Sequence, residues 1–253
     1  MQLPNVPGWG QDFLGHIIHA ADHNTRAAFA NRRPQWSHLS EVLDLLQKAS
    51  DNLNNTSKWF VVPFLIRSQS CYVAAVRLGT GGQLPEAHAI LRTCLENALY
   101  GFYLASDGER QRLWLDRNTS DAAKKKMVKE FKLGEMMKAL KAVDCDTHRV
   151  VKLLYDRTID YGAHPNPQSI LPQSRQEEVG TRTEFGQTWM TGDCLAMRLC
   201  LKTAAAVGLA ALHVFANVWR ERFDILGIRQ AMLDLREPRR FEVYGPDTAE
   251  LES

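Results

Sequence analysis

The sequence predicts an all-α fold, a single multi-helix bundle with antiparallel helical hairpins. Apolar residues recur at helical spacing through most of the 253 residues. Proline and glycine fall between those amphipathic stretches rather than inside them. Only residues 168–190, rich in Gln, Glu, Thr and Gly, lack the pattern, and a small β-hairpin or ordered loop is expected there. Apolar content of 45% and charged content of 24% are ordinary globular values, and the length suffices for one sizeable core. With no interdomain linker and no fixed-period repeat, residues 1–240 read as one helical domain and 241–253 as a flexible acidic tail.

The first helix is expected from about Trp9 to Asn31, with Phe13, Ile17, Ala21 and Ala28 on one face and Pro34 as its break. Ser37 can cap a second helix holding Leu39, Val42, Leu43, Leu46 and Leu53. A third begins near Ser57, where Pro63 is tolerated in the first turn. In Gly79-Thr-Gly-Gly-Gln-Leu-Pro85, Gly79 can supply a left-handed C-terminal residue and Pro85 can open the fourth helix. That short link between two amphipathic helices predicts an αα-hairpin. Residues 108–144 read as shorter, more polar helices. Another helix runs from about Thr147 to Gly162 and stops at Pro165 and Pro167. The last long helix is expected from about Thr191 to Leu226, roughly 50 Å at about 1.5 Å per residue. A short helix near residues 228–235 follows.

A net charge of +2 argues against a dedicated nucleic-acid coat or a polybasic membrane binder. The five cysteines (Cys71, Cys94, Cys145, Cys194, Cys200) are scattered and form no CxxC pair, which fits reduced, mostly buried thiols in a cytoplasmic protein. The amino-terminal Met1-Gln-Leu-Pro-Asn-Val-Pro7 has no basic region before an apolar core, so no secretory leader is expected. The weakly polar run Thr203–Trp219 contains His213 and Asn217, and it reads as a buried bundle helix rather than a membrane span. No P-loop, HExxH or GxSxG motif is present, and no cofactor is implied.

The richest stretch in functional groups is Tyr155-Asp-Arg-Thr-Ile-Asp-Tyr-Gly-Ala-His-Pro-Asn-Pro167. Helical spacing puts Arg157, Asp160, Tyr161 and His164 on nearly one face. An arginine can hold a phosphate or carboxylate by two parallel hydrogen bonds, and a histidine exchanges protons near neutrality. Asp160 could orient the imidazole, a kit suited to metal-independent RNA cleavage. A purely structural role stands beside it: Arg157 could pair with Asp160 or a carboxylate elsewhere, and the cluster could hold a helix end and the Asn166 turn. Pro165 disfavours helical dihedrals at His164, so the shared face need not reach it.

Arg157, six intervening residues and His164 resemble the Arg-x4–6-His signature of the HEPN superfamily. The fourth-helix segment Leu91-Arg-Thr-Cys-Leu-Glu-Asn-Ala-Leu-Tyr100 is similar to the Arg-x-x-x-Glu helix of uncharacterised bacterial families placed near HEPN. The resemblance implies a small helical bundle, often dimeric, in bacterial toxin and defence systems, with Arg157 on phosphate and His164 as acid or base.

Three further groups invite function. Arg92 and Glu96 can pair along the fourth helix, and Arg67, on an apolar stripe, needs a carboxylate if buried; Glu96 is expected to meet Arg67 or Arg157 across helices. An anion or nucleotide pocket is the functional counterpart. Asp12, His16, His19 and His23 form one stripe of metal-competent groups, but it points away from the apolar face, and no Glu-x-x-His accompanies it. Lys124, Lys125, Lys126 and Lys129 could contact RNA backbone if they lay beside His164. Three classes of function stay open: an RNA-cleaving or RNA-binding dimer, a non-catalytic interaction module with a protein partner, and a bundle binding a small ligand or metal.

Overall fold

The computed structural model describes residues 7–8, 10–165, 167–179 and 182–235. Helix α1 (Phe13–Asn31) begins where the Asp12 carboxylate accepts the Gly15 N–H at 2.6 Å, and the expected start at Trp9 lies outside the described residues. Helix α2 (Arg33–Asp51) opens with Pro34 in its first turn. The expected Ser37 cap therefore sits inside the helix, where its hydroxyl donates to Glu41 at 3.1 Å. A proline has no N–H to leave unsatisfied and a dihedral already suited to a first turn, so it starts this helix rather than merely ending the one before.

A 3-10 turn (Trp59–Val61) leads into α3 (Val62–Gly81), again with proline in the first turn. Its left-handed terminator is Gly82 (φ 94°), not Gly79. Gly79 is buried within the helix, where a β-carbon would come within 3.3 Å of Leu201. Helix α4 (Leu84–Leu104) carries Pro85 in its first turn and returns antiparallel along α3, forming the expected hairpin. Ser68 Oγ donates to the Cys94 carbonyl at 3.1 Å across that contact.

Helices α5 (Gly108–Leu115), α6 (Asp121–Glu130) and α7 (Leu133–Val143) then lead to α8 (Cys145–Thr158). Helix α8 runs into a π-helical turn over Ile159–Ala163. The short α9 (Pro167–Ile170) and a 3-10 turn (Leu171–Gln173) precede strands β1 (Ser174–Val179) and β2 (Arg182–Gln187). These pair antiparallel from Ser174 opposite Gln187 to Val179 opposite Arg182, so the expected hairpin is present.

Helix α10 (Leu195–Ala216) is the spine, packed on α2, α3, α4 and α8. Its 22 residues rise about 33 Å, shorter than the expected Thr191–Leu226 helix. The chain turns after Ala216 because Asn217 bonds the His213 carbonyl and the Asp144 carboxylate, each at 3.0 Å, and the Trp219 indole donates to Thr56 at 2.9 Å. Helices α11 (Arg220–Ile225) and α12 (Ile228–Asp234) close the described chain; the expected acidic tail lies outside it. Among the described residues two segments, Trp59–Gly81 and Leu195–Ala216, are long and apolar enough to cross a membrane. The second is mostly buried in the bundle, as a core helix must be.

Candidate functional site

A cavity of about 360 Å³ opens between the first turns of α4, the end of α8, α9 and the first half of α10. Its position follows from two backbone features. Helix α8 widens into the π turn, a geometry frequent at functional sites. Within that turn Gly162 lies so close to the Pro85 backbone that any β-carbon would collide with the proline carbonyl. The end of α8 is thereby pressed against the start of α4, and Arg157 and Tyr161, four residues apart, both face the cavity.

His88, one turn into α4, is 6% exposed and belongs to the cavity wall. Its ring lies 5.6 Å from that of Tyr161, tilted by 33°. Its Nδ1 is sealed from solvent and has no hydrogen-bond partner. A proton there would be a buried donor without an acceptor, so the neutral ring carries its proton on Nε2, the nitrogen left to meet a ligand. Burial first, and the nearby Arg157 guanidinium second, lower its pKa to about 4, so the ring is neutral at physiological pH.

Arg157 is exposed and makes no ion pair with a carboxylate among the described residues. Lys202 of α10 adds a second cation, the hydroxyls of Thr203 and Ser169 already donate to the Leu199 and His164 carbonyls, and Leu84, Pro85 and Leu199 supply apolar wall; among the described residues no Asp or Glu lines the cavity. Cys200 is also in the wall, but burial pushes its thiol up to about 12, which leaves no thiolate for nucleophilic attack near neutrality. The arrangement can bind and orient an anion with an apolar body.

The sequence-predicted cluster is divided by this geometry. Arg157 and Tyr161 enter the cavity wall; Asp160 and His164 are exposed and do not. His164 is extended (φ −135°, ψ 146°), as Pro165 requires, and its carbonyl accepts Ser169 Oγ at 2.8 Å. Asn166 lies outside the described residues.

The expected cross-helix ion pair is corrected. Arg67 is exposed, so it needs no buried partner. Glu96 instead accepts from Arg92 Nε and from the Tyr155 hydroxyl, both at 2.9 Å, and Arg92 also reaches the Tyr155 oxygen at 2.9 Å. This triangle fastens α8 to α4. It raises the Tyr155 hydroxyl to about 12, through burial and then the Glu96 carboxylate.

Lys125 and Lys129 are exposed on α6, which docks at the far end of α4, where Tyr103 donates to Glu130 at 2.9 Å. Fifteen residues separate His88 from Tyr103, about 22 Å along α4, so this basic face is remote from the cavity. His16, His19 and His23 are exposed on α1, and Asp12 is spent as its cap. Among the described residues no group of three or more His, Cys, Asp or Glu side chains could hold a metal.

A second cleft, of about 260 Å³, is lined by Asp144, His213, Arg220 and Arg229 among others. Two of its charges are already used: Asp144 accepts from Thr147 and Asn217, and Arg229 from α12 pairs with Asp224. Comparison of the chain with models of known protein families, with curated proteins and with solved structures gives no match.

Proposed function

We propose that this chain is a helical binding protein that takes a small organic anion into the cavity between α4, α8 and α10. The observation that carries the reading is the Arg157 guanidinium, without a carboxylate partner among the described residues, at a cavity whose described wall contains cations and neutral polar groups but no acid. A cavity of about 360 Å³ is within the range of about 300–1,000 Å³ typical of small-molecule sites. Arginine offers such a ligand a planar fork for two hydrogen bonds. The Cys200 thiol, inert near neutrality, favours binding over nucleophilic chemistry. The test is thermal unfolding of wild type and Arg157→Gln across a panel of small organic anions and their neutral analogues. At about a hundredfold excess over Kd, a true ligand adds about 2.7 kcal/mol of stability. Anions should stabilise the wild type and leave Arg157→Gln unmoved; equal response of the two proteins would refute the reading.

A second reading is favoured by the exposure of both Arg157 and His164 on one chain segment. In it the protein is a HEPN-like cytoplasmic dimer that binds or cleaves RNA without metal, with Arg157 on phosphate and His164 as acid or base. EDTA-resistant cleavage of a mixed RNA pool, lost in His164→Ala at unchanged melting temperature, would favour it over the first. Absence of cleavage by wild type would remove it.

A further inference from the structure

We propose that the ligand of this cavity is a monocarboxylic acid with a compact apolar body, its carboxylate shared between Arg157 and His88. The inference rests on the anion-binding reading above and adds to it the charge and shape of the ligand.

Charge comes first. His88 is nine-tenths buried, has no hydrogen-bond partner on Nδ1, and brings a neutral N–H to the cavity. Arg157 brings one positive charge with no carboxylate to offset it among the described residues. Lys202, half-buried in the wall, already takes part in an interaction within the fold. The Arg157 cation and the neutral His88 ring together match a single negative charge. A phosphate dianion would bring a second charge that Arg157 alone does not balance, beside apolar wall, where an unpaired charge is costly. Both oxygens of a carboxylate can be used: one fork of the guanidinium and the imidazole N–H supply donors for them.

Shape comes second. Leu84, Pro85 and Leu199 offer an apolar surface opposite the donors, and the tilted His88–Tyr161 ring pair offers an aromatic one. A short sugar or polyol acid would leave its hydroxyls against carbon. An aryl or branched aliphatic body fills the same space without unmet hydrogen bonds.

The test uses three probes with one body: phenylacetate, its neutral amide phenylacetamide, and the dianion phenyl phosphate. Each is titrated by calorimetry into the full-length wild type, Arg157→Gln and His88→Phe, with thermal melts to confirm folding. The expected result is saturable binding of phenylacetate to wild type, at least tenfold weaker binding of the other two, and at least tenfold loss in each variant. Tighter binding of phenyl phosphate would overturn the monocarboxylate assignment while leaving the anion reading intact. Equal binding of acid and amide would overturn both, and no binding of any probe would overturn the proposed ligand while the anion panel above still decides the broader reading. Should His88→Phe melt early, Arg157→Gln alone decides, because Arg157 is exposed and the glutamine keeps most of its aliphatic stem.

Discussion

At the scale of single residues, the informative contrast is between Arg157 and His88. Arg157 was legible in the sequence: four residues from Tyr161, on a helix, the two must share a face. His88 was not, because a lone histidine among Leu84, Ala87 and Leu91 looks like any residue of a core stripe. The missing hydrogen-bond partner on its Nδ1 is a property of the packed bundle alone. That isolation also predicts an acid sensitivity. Its pKa is near 6.5 in the unfolded chain and about 4 in the fold, so between these values the unfolded state binds the extra proton. The stability from keeping the ring neutral is complete above pH about 6.5 and drains away as pH falls towards about 4. At about 1.4 kcal/mol per unit, the loss by pH about 4.5 is on the order of 2 kcal/mol. Urea unfolding of wild type and His88→Leu at pH about 7 and about 4.5 checks it. The variant should lose less stability on acidification than wild type; parallel losses would show that His88 does not carry the effect.

At the scale of elements, positions of helices were readable and their ends less so. Helical periodicity and proline gave α1 to α4, since both act within a few residues. Arg157 and His164 were expected to share a face on regular α-helical spacing, but the π turn at residues 159–163 adds a residue to the last turn, and the extended dihedrals of His164 complete its departure. No local pattern announces that turn, because it depends on Gly162 meeting Pro85 from another helix. The end of α10 was likewise set by tertiary bonds from Asn217 and Trp219. Glycine makes the same point quantitatively. Alanine is the better helix former, by about 1 kcal/mol. At Gly208 in α10, however, a β-carbon would stand 2.5 Å from Val42 Cγ1 and 2.7 Å from the Tyr72 ring. Overpacking of this kind costs about 1–3 kcal/mol, so the clash outweighs the propensity. At Gly134 in α7 nothing lies within 4 Å. Denaturant titration should therefore find Gly208→Ala destabilised by about 2 kcal/mol and Gly134→Ala stabilised by about 0.5 kcal/mol. The same sign for both would mean that α10 does not sit this close to α2 and α3.

At the scale of the whole molecule, stability comes from the bundle around α10, and the β1–β2 hairpin stands outside it. Every hairpin residue whose side chain is described is exposed, Phe185 at 78%. A lone two-stranded ribbon with neither face covered is at best marginally stable in water, so it cannot hold the bundle together. Its like-charged Glu177 and Glu184 sit directly opposite one another, which weakens it further. Its ends are nevertheless convenient. Ser174 and Gln187 are register partners, so their α-carbons are only about 5 Å apart. Replacing residues 174–187 by two glycines should thus close the chain without moving Pro172 or Thr191, which line the cavity. A loss of 1 kcal/mol in a domain of this size shifts the melting temperature by about 2–4 °C. The shortened protein should melt cooperatively within about that interval of the full chain and bind phenylacetate with unchanged affinity. A much larger fall would mean that the hairpin is covered by some part of the protein and belongs to the core. Unchanged melting with lost binding would instead place the hairpin at the mouth of the cavity, as a segment that the ligand itself touches.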